Sequence, residues 1–443
     1  MVDFNGGPNA DLFNGDETDE TAFGNGGPDT LQGNGGNDTL YGGAGRDFIT
    51  GGSGNDIIFG GDGGGTNPLD EGDDLSGGSG DDFINGERGN DRIRGGIGAD
   101  TLIGGRGDDS LRGDEGNDTL DERGTQGTDS LWGGSGNDVI YSSTGAESDI
   151  RGDDGNDTIF SYGDGNTIDG GANDDYIEAT GDRSNIEGGS GADTIISSGL
   201  KSIIDGGIGN DQIQSDGQED SVTGGEGDDL IIANGQGTIA NGDAGADEIR
   251  AFGANVTANG GEGNDLIISQ NVNATLNGDN GNDTIESSGY NVTVNGGAGA
   301  DEITILGNDG TVDAGLDDDL IFNFGINTTI DAGEGNDQIQ TREGSATIQA
   351  GAGDDAIFHF GQGVAVIQDS GGTQDFVQFT QAVAADLAFA QVGNDLFVST
   401  NEDFADGVLN TGVILQDFYT SAEHINFIQG NDGLQYDLSQ FLL

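Results

Sequence analysis

Residues 33–41 read Gly33-Asn34-Gly35-Gly36-Asn37-Asp38-Thr39-Leu40-Tyr41, and Gly42 to Thr50 and Gly51 to Phe59 repeat the pattern at once. The pattern is Gly-Gly-x-Gly-x-Asp-x-U-x, where U is a large aliphatic residue. Copies continue to Gly351-Ala352-Gly353-Asp354-Asp355-Ala356-Ile357. Each nonapeptide reads as a turn followed by a short strand. Glycines at positions one, two and four permit positive φ and bring the backbone close to a bound ion. Position six supplies a carboxylate. Position eight faces inward while positions seven and nine face the other way, by the period of two of a strand. Two nonapeptides then close one coil, and residues 18 apart stack at roughly 4.8 Å.

The inner file is legible at position eight: Ile159, Ile168, Ile177, Ile186, Ile195, Ile204, Ile213, Val222 and Ile231, then Ile249, Ile267, Leu276, Ile285, Val294, Ile303, Val312, Ile321, Ile330, Ile339, Ile348 and Ile357. Ala240 and Ala258 interrupt it. Stacked between two narrow sheets, these side chains predict a thin continuous core.

The aspartates follow two regimes. From Gly24 to Asp121 nearly every nonapeptide carries one: Asp29, Asp38, Asp47, Asp56, Asp82, Asp91, Asp100, Asp109 and Asp118. Acidic turns are expected on both edges there. After Trp132 they recur on alternate nonapeptides: Asp138, Asp157, Asp175, Asp193, Asp211, Asp229, Asp247, Asp265, Asp283, Asp301, Asp319, Asp337 and Asp355. The intervening turns carry Ser184, Ser202, Thr238, Val256, Ala274, Val292, Thr328 or Ala346 at position six, with Asp220 the exception. One acidic edge and one uncharged edge are expected in this part.

Six to eight oxygens at about 2.3–2.6 Å suit calcium, and carboxylates with backbone carbonyls supply them. No thiolate or imidazole recurs, which argues against zinc or copper. Each ion would lie between adjacent turns, so binding and stacking are coupled. If each adjacent same-edge pair makes one site, roughly 16–18 ions are expected.

The nonapeptides at about residues 24–363 resemble the RTX (repeats-in-toxin) calcium-binding family. That resemblance implies an all-β, right-handed parallel β-roll, a calcium-loaded solenoid of 18 residues per coil. The chain departs from the pattern at Asn173 and Asp317, which replace the fourth-position glycine. It departs again at Ala314, Ala332 and Ala350, which replace the first. These positions are expected to be weaker or reshaped.

Composition agrees with an ion-dependent fold. Of 443 residues 90 are Gly, with three Pro and no Cys. The formal charge is −70, from 82 acidic and 12 basic residues. Self-repulsion on this scale predicts a largely unfolded chain without metal. The surface repels nucleic acid and anionic lipid. No apolar run approaches the ~18 residues needed to span a membrane. The N-terminus, Met1-Val2-Asp3-Phe4-Asn5-Gly6, lacks the basic and apolar regions of a cleaved secretory signal.

Four regions are expected: residues 1–23 as a cap and start of the roll, 24–132 with calcium turns on both edges, 133–363 with calcium turns mainly on one edge, and 364–443 as a small β-rich C-terminal cap. An insertion at about 61–72 loops out or splits the roll, and Glu122-Arg123-Gly124-Thr125 is a lesser irregularity. The outer faces carry threonines at position seven (Thr257, Thr275, Thr293, Thr311, Thr329, Thr347) and asparagines at position nine (Asn241, Asn259, Asn277, Asn295). Both suit stacked exposed strands. Opposite them, position nine alternates apolar and polar through Phe160, Glu178, Ile196, Gln214, Ile232, Arg250, Ile268 and Glu286, a stripe compatible with lateral contact.

Residues 364–443 change style. They resemble the β-rich segment that follows RTX repeats in secreted proteins, with Phe376, Phe379, Phe389, Leu396, Phe418 and Phe427 as a separate core. In that family the last residues act as an uncleaved type I secretion signal, and Asp437-Leu438-Ser439-Gln440-Phe441-Leu442-Leu443 is compatible with one. No His-Glu-x-x-His or Gly-x-Ser-x-Gly motif is present, and a single lysine, Lys201, excludes a P-loop. His359 and His424 read as structural. The expectation is therefore a non-enzymatic protein, exported by a type I apparatus, that folds on calcium at the cell surface or in the extracellular matrix. A calcium-dependent adhesin or carbohydrate-binding module is the alternative, and a polysaccharide-modifying enzyme comes third. Self-association and extracellular polysaccharide are the expected partners.

Overall fold

A computed structural model of the chain describes residues 4–442 apart from 66–68, 70, 125, 343, 362, 381, 407–410 and 422–424. His424, Thr125 and part of the insertion therefore lie outside the described residues. The chain divides into two compact units, residues 1–225 and 226–443. Each is all-β, a parallel β-solenoid. Successive strands alternate between two sheets, and each pairs with the strand one coil away. In the first unit Thr158–Ser161 lies parallel to Tyr176–Ala179, with Ile159 opposite Ile177. Its companion Thr167–Ala172 lies parallel to Asn185–Ser190 in the other sheet, with Ile168 opposite Ile186. In the second unit Ile267 stands opposite Ile285 and Leu276 opposite Val294 in the same manner.

The coil period follows from residue chemistry. The strands are brief because glycine-rich turns end them. Inward positions are filled by aliphatics that stack on themselves: Leu31, Leu40, Ile159, Ile168, Ile249 and Ile267 are fully buried. A second inward position carries small side chains, including Ser161, Ala179, Ser197, Ala233, Ala251 and Ser269, all buried. Their size sets how closely the sheets approach at the edge without acidic turns.

Irregularities of spacing are absorbed as loops. Phe48 stands opposite Asp74, and the amide of Asp47 reaches Asp73 across 26 residues instead of 18. The insertion thus leaves the parallel pairing on both of its sides intact. Near Glu122 the offset widens to 20, since Asp109 reaches Asp129. Pairing begins at Phe4, opposite Ala22.

On the outer face of the first unit, aromatics stack across coils. The rings of Phe23 and Tyr41 lie 4.6 Å apart, and those of Tyr41 and Phe59 5.0 Å apart. In the second unit Asn241, Asn259, Asn277 and Asn295 hydrogen-bond one to the next, so this file satisfies itself. Ile196, Ile232 and Ile268 of the alternating stripe are half-buried between their neighbours.

The parallel architecture ends in the C-terminal segment. Gly363–Gln368 pairs in parallel with Ala346–Gln349 and with Thr411–Leu415. Leu387–Val392 and Asp395–Thr400 form an antiparallel hairpin, which continues onto Thr411–Leu415. Phe376–Phe379 pairs with Phe427–Gln429, which turns back antiparallel on Gln435–Asp437. Of the six side chains expected as a core here, Phe379, Leu396 and Phe418 are buried, while Phe376, Phe389 and Phe427 are half-buried. Val398, Val413 and Ile428 complete that core. Asn401–Asp406 is the one α-helix among the described residues.

Because each inward aliphatic touches only its own and adjacent coils, core losses are local. Ile285→Ala should cost about 2–4 kcal/mol in calcium, measured by denaturant unfolding, whereas exposed Thr293→Ala should change little.

Candidate metal centres

The position-six acids form relays from coil to coil. On one edge of the first unit, the Asp11 amide donates to Oδ1 of Asp29. The relay continues through Asp47, Asp73, Asp91, Asp109 and Asp129 at 2.7–3.0 Å. On the other edge the Glu20 amide donates to Asp38, followed by Asp56, Asp82, Asp100, Asp118, Asp138, Asp157, Asp175, Asp193 and Asp211 at 2.7–2.8 Å. The second unit holds one relay, Asp229, Asp247, Asp265, Asp283, Asp301, Asp319, Asp337, Asp355 and Asp375, at 2.8–3.0 Å. Every aspartate singled out from the sequence lies in a relay and is at most 3% exposed.

Sequence reading missed Asp11, Glu20, Asp73, Asp129 and Asp375. Asp73 and Asp129 follow the two spacing irregularities, which shift them out of the nine-residue register. Glu20 is a longer acid in the aspartate's place, five residues after Gly15, as Asp38 is after Gly33. The position-five side chains form a second, exposed relay that was also missed. Oδ1 of Asn37 accepts from the Asn55 amide and Oδ1 of Asn55 from the Asp81 amide. In the second unit Asn264, Asn282 and Asp318 do the same. The recurrence of Asn or Asp before the position-six aspartate was the available signal.

Each relay uses one carboxylate oxygen. The other, Oδ2, is sealed from solvent and accepts no hydrogen bond at Asp38, Asp56, Asp100, Asp157 and Asp193, or at Asp247, Asp265, Asp283 and Asp301. It lies against the position-one glycine. A Cβ built on Gly152 would overlap Asp157 Oδ2 and the Gly170 carbonyl, and one on Gly260 would overlap Asp265 Oδ2. Glycine leaves that space open in these turns, and two kinds of oxygen converge on it.

The uncharged edge shows the contrast. The Asp129 amide donates to Ser148 Oγ at 3.0 Å, and the Ser148 amide to Asn166 Oδ1 at 2.9 Å. Asn166 Nδ2 then donates to Ser161 Oγ. Asp220 belongs to this edge and differs from the rung acids. Its Oδ1 accepts from the Ser202 amide and its Oδ2 from Ser215 Oγ, so both oxygens have partners within the turn.

A buried carboxylate oxygen without a countercharge costs several kcal/mol. Among the described residues the ion pairs, such as Arg151–Asp149 at 3.4 Å and Lys201–Glu219 at 3.2 Å, sit on exposed side chains away from the rungs. Burial pushes the carboxyls of Asp47, Asp82, Asp118, Asp138 and Asp283 up to about 7 and that of Asp175 up to about 8, with adjacent rung charges adding to the rise. Free carboxylate and carbonyl oxygens, without sulfur or imidazole, are a donor set for a hard divalent cation. The residues therefore fit calcium. A bound ion would supply the missing positive charge and tie adjacent coils together.

The RTX calcium-binding nonapeptide repeat model, four copies per match, aligns with residues 14–49, 32–66, 69–102, 94–121, 123–146, 149–177, 169–199, 203–237, 239–275, 277–310 and 331–359. The chain belongs to the RTX calcium-binding nonapeptide repeat family. No curated protein matches it. Among solved structures it is similar to a hyperactive, Ca²⁺-dependent, β-helical antifreeze protein from an Antarctic bacterium, at 18% identity and a TM-score of 0.36, over 80% of this chain and 92% of that one.

The fourth-position departures from the RTX pattern stay left-handed but reshape the turn, since the fourth-position glycines Gly191 and Gly335 adopt φ of 141° and 152°. Asn173 and Asp317 adopt φ of 77° and 75°, left-handed values that asparagine and aspartate tolerate better than other side chains. Ala314, Ala332 and Ala350 put a fully buried methyl where other turns leave space, and the adjacent relay bonds are 2.9–3.0 Å. His359 is buried, bonded through Nδ1 to Thr341 Oγ1 at 2.9 Å, and burial lowers its pKa. It packs within the coil, away from the rungs.

The raised carboxyl pKa values set a pH dependence for the calcium-free chain. Folded rungs bind protons more tightly than the unfolded chain, whose aspartates titrate near 3.8. This stabilisation is complete below that value and is lost as pH rises through about 7. Far-ultraviolet circular dichroism of exhaustively decalcified protein should show β structure increasing from pH 8 to pH 5. A spectrum independent of pH would contradict this account.

Proposed function

We propose that this RTX protein is exported unfolded through a type I channel and folds on calcium outside the cell. There it serves as a structural component of the cell surface or extracellular matrix. The observation that carries this reading is the buried, unpartnered Oδ2 on rung after rung, an arrangement suited to a medium rich in calcium. Where calcium is scarce, rung repulsion and conformational entropy keep the chain threadable; where it is millimolar, binding supplies the folding free energy. The absence of cysteine is consistent with a fold stapled by ions. No helix among the described residues is long and apolar enough to cross a membrane.

The proposed ligands are the rung aspartates together with Glu20, Asp11, Asp73, Asp129 and Asp375. With these included, adjacent acid pairs number about two dozen, above the 16–18 ions expected from sequence, if each pair makes one site. The role is structural rather than catalytic, because the buried acids are committed to backbone relays. The self-bonded asparagine file favours the same reading over glycan binding, since its amides already satisfy one another.

Calcium titration followed by circular dichroism should convert a disordered spectrum into a β spectrum at millimolar calcium. A compact, heat-resistant protein in excess chelator would overturn the proposal. Asp265→Asn removes charge from two adjacent rungs and should raise the calcium midpoint several-fold, while Asp220→Asn should leave it nearly unchanged. Electron microscopy with and without calcium tests assembly: dispersed single particles at high concentration would count against the matrix role.

A further inference from the structure

The last RTX match ends at residue 359, yet the relay of the second unit runs on to Asp375. Asp355, Asp369 and Asp375 offer carboxylate oxygens that all lie within 4.8 Å of one another. Asp355 and Asp375 are 0% exposed, and the Oδ2 atoms of all three are buried with no hydrogen-bond partner outside the cluster, the carboxyls of Asp369 and Asp375 lying against each other. Their other oxygens have defined partners. Asp375 Oδ1 accepts from the Asp355 amide at 2.9 Å, and Asp369 Oδ1 from the Gly371 amide at 3.3 Å.

Asp369 is the informative member. Gln349 stands opposite Gln368, so Asp369 occupies the register of Ala350, the first position of the turn. The repeat places glycine there, and the preceding coils of this unit place Ala314, Ala332 and Ala350. The final turn instead places a carboxylate. Its side chain also lines a surface groove with Asp331, Glu334 and Asp417, an acidic approach for a hydrated cation. Among the described residues no further rung follows this turn, and the Asp375 amide donates to Asn426 Oδ1 at 3.0 Å.

We propose that Asp369, from outside the repeat, joins the last rung pair, Asp355 and Asp375, in a terminal three-carboxylate divalent-cation site that clamps the last coil to the C-terminal strands. Calcium is the expected ion, and trivalent lanthanides are its probes. The site extends the calcium reading above to residues outside the repeat. Two anchors immediately precede strands of one sheet, Ala356–His359 and Phe376–Phe379, while Asp369 follows Gly363–Gln368 in the other. An ion held by all three would fix the two sheets where the parallel pairing gives way to antiparallel strands.

Crystals of the calcium-loaded full chain, exchanged with Tb³⁺, would show the site directly. An anomalous peak among the three carboxylates in the wild type, lost in Asp369→Asn while rung peaks persist, is expected. Rung peaks without a peak at this triad would overturn the inference and leave the calcium-folding proposal standing. Absence of peaks at the rungs would overturn that broader proposal itself. In solution, hydrogen exchange of residues 364–380 should require at least about tenfold more calcium for protection in Asp369→Asn than in the wild type, with Asp369→Glu restoring it in part. An unchanged midpoint would likewise reject the terminal site.

Discussion

Everything in this structure depends on how a position-six carboxylate divides its two oxygens. One accepts the amide of the preceding coil's aspartate and so holds the stacking register. The other is turned, buried and unshared, toward the glycine that opens its own turn. The first bond explains why the coils repeat at a fixed offset even where the chain inserts residues, as between Asp47 and Asp73. The second explains the glycine: a side chain at Gly152 or Gly260 would fall on the free oxygen. Charge, composition and fold are consequences of the same local geometry.

The molecule carries its own control. On the uncharged edge, Ser148 and Asn166 accept the same kind of amide that the aspartates accept elsewhere. A neutral oxygen is therefore sufficient for capping, at no electrostatic cost. Serine, threonine, valine or alanine side chains fill that edge and close it. What an aspartate adds beyond capping is an anionic oxygen held out of water, which is unfavourable unless a cation shares it. The repeated presence of that oxygen, and its absence from Asp220, separates rungs whose donor set fits an ion from turns that pack on themselves.

Much of this was legible in the sequence because every determinant was local. Gly33 to Tyr41 contains a complete turn and strand, and Ile159, Ile168 and Ile177 announce the inner file by spacing alone. The losses occurred where locality failed. Asp73 and Asp129 follow extra residues that interrupt the nine-residue register, so counting by nine passes over them. Glu20 was passed over because a longer acid does the aspartate's work. The position-five relay of Asn37 and Asn55 was hidden by variation between Asn, Asp and Ala at that place. The hairpin of Leu387–Val392 and Asp395–Thr400 could be anticipated as β structure, but its antiparallel return onto Thr411–Leu415 depends on long-range pairing that no period encodes.

That change of pairing bears on how the ladder of the second unit stops. A nonapeptide rung draws part of its oxygen from the backbone of the next turn, as Gly278 and Gly296 supply carbonyls beside the positions opened by Gly260 and Gly278. The last turn of the ladder is built differently. There the chain has Asp369 in the register otherwise held by glycine or alanine, so a third carboxylate oxygen stands beside those of Asp355 and Asp375. A solenoid whose coils each complete their neighbour's site must end on a turn that has no successor. Asp369 gives the last site a third carboxylate beside those of Asp355 and Asp375, and Asn426 returns the Asp375 amide to neutral capping.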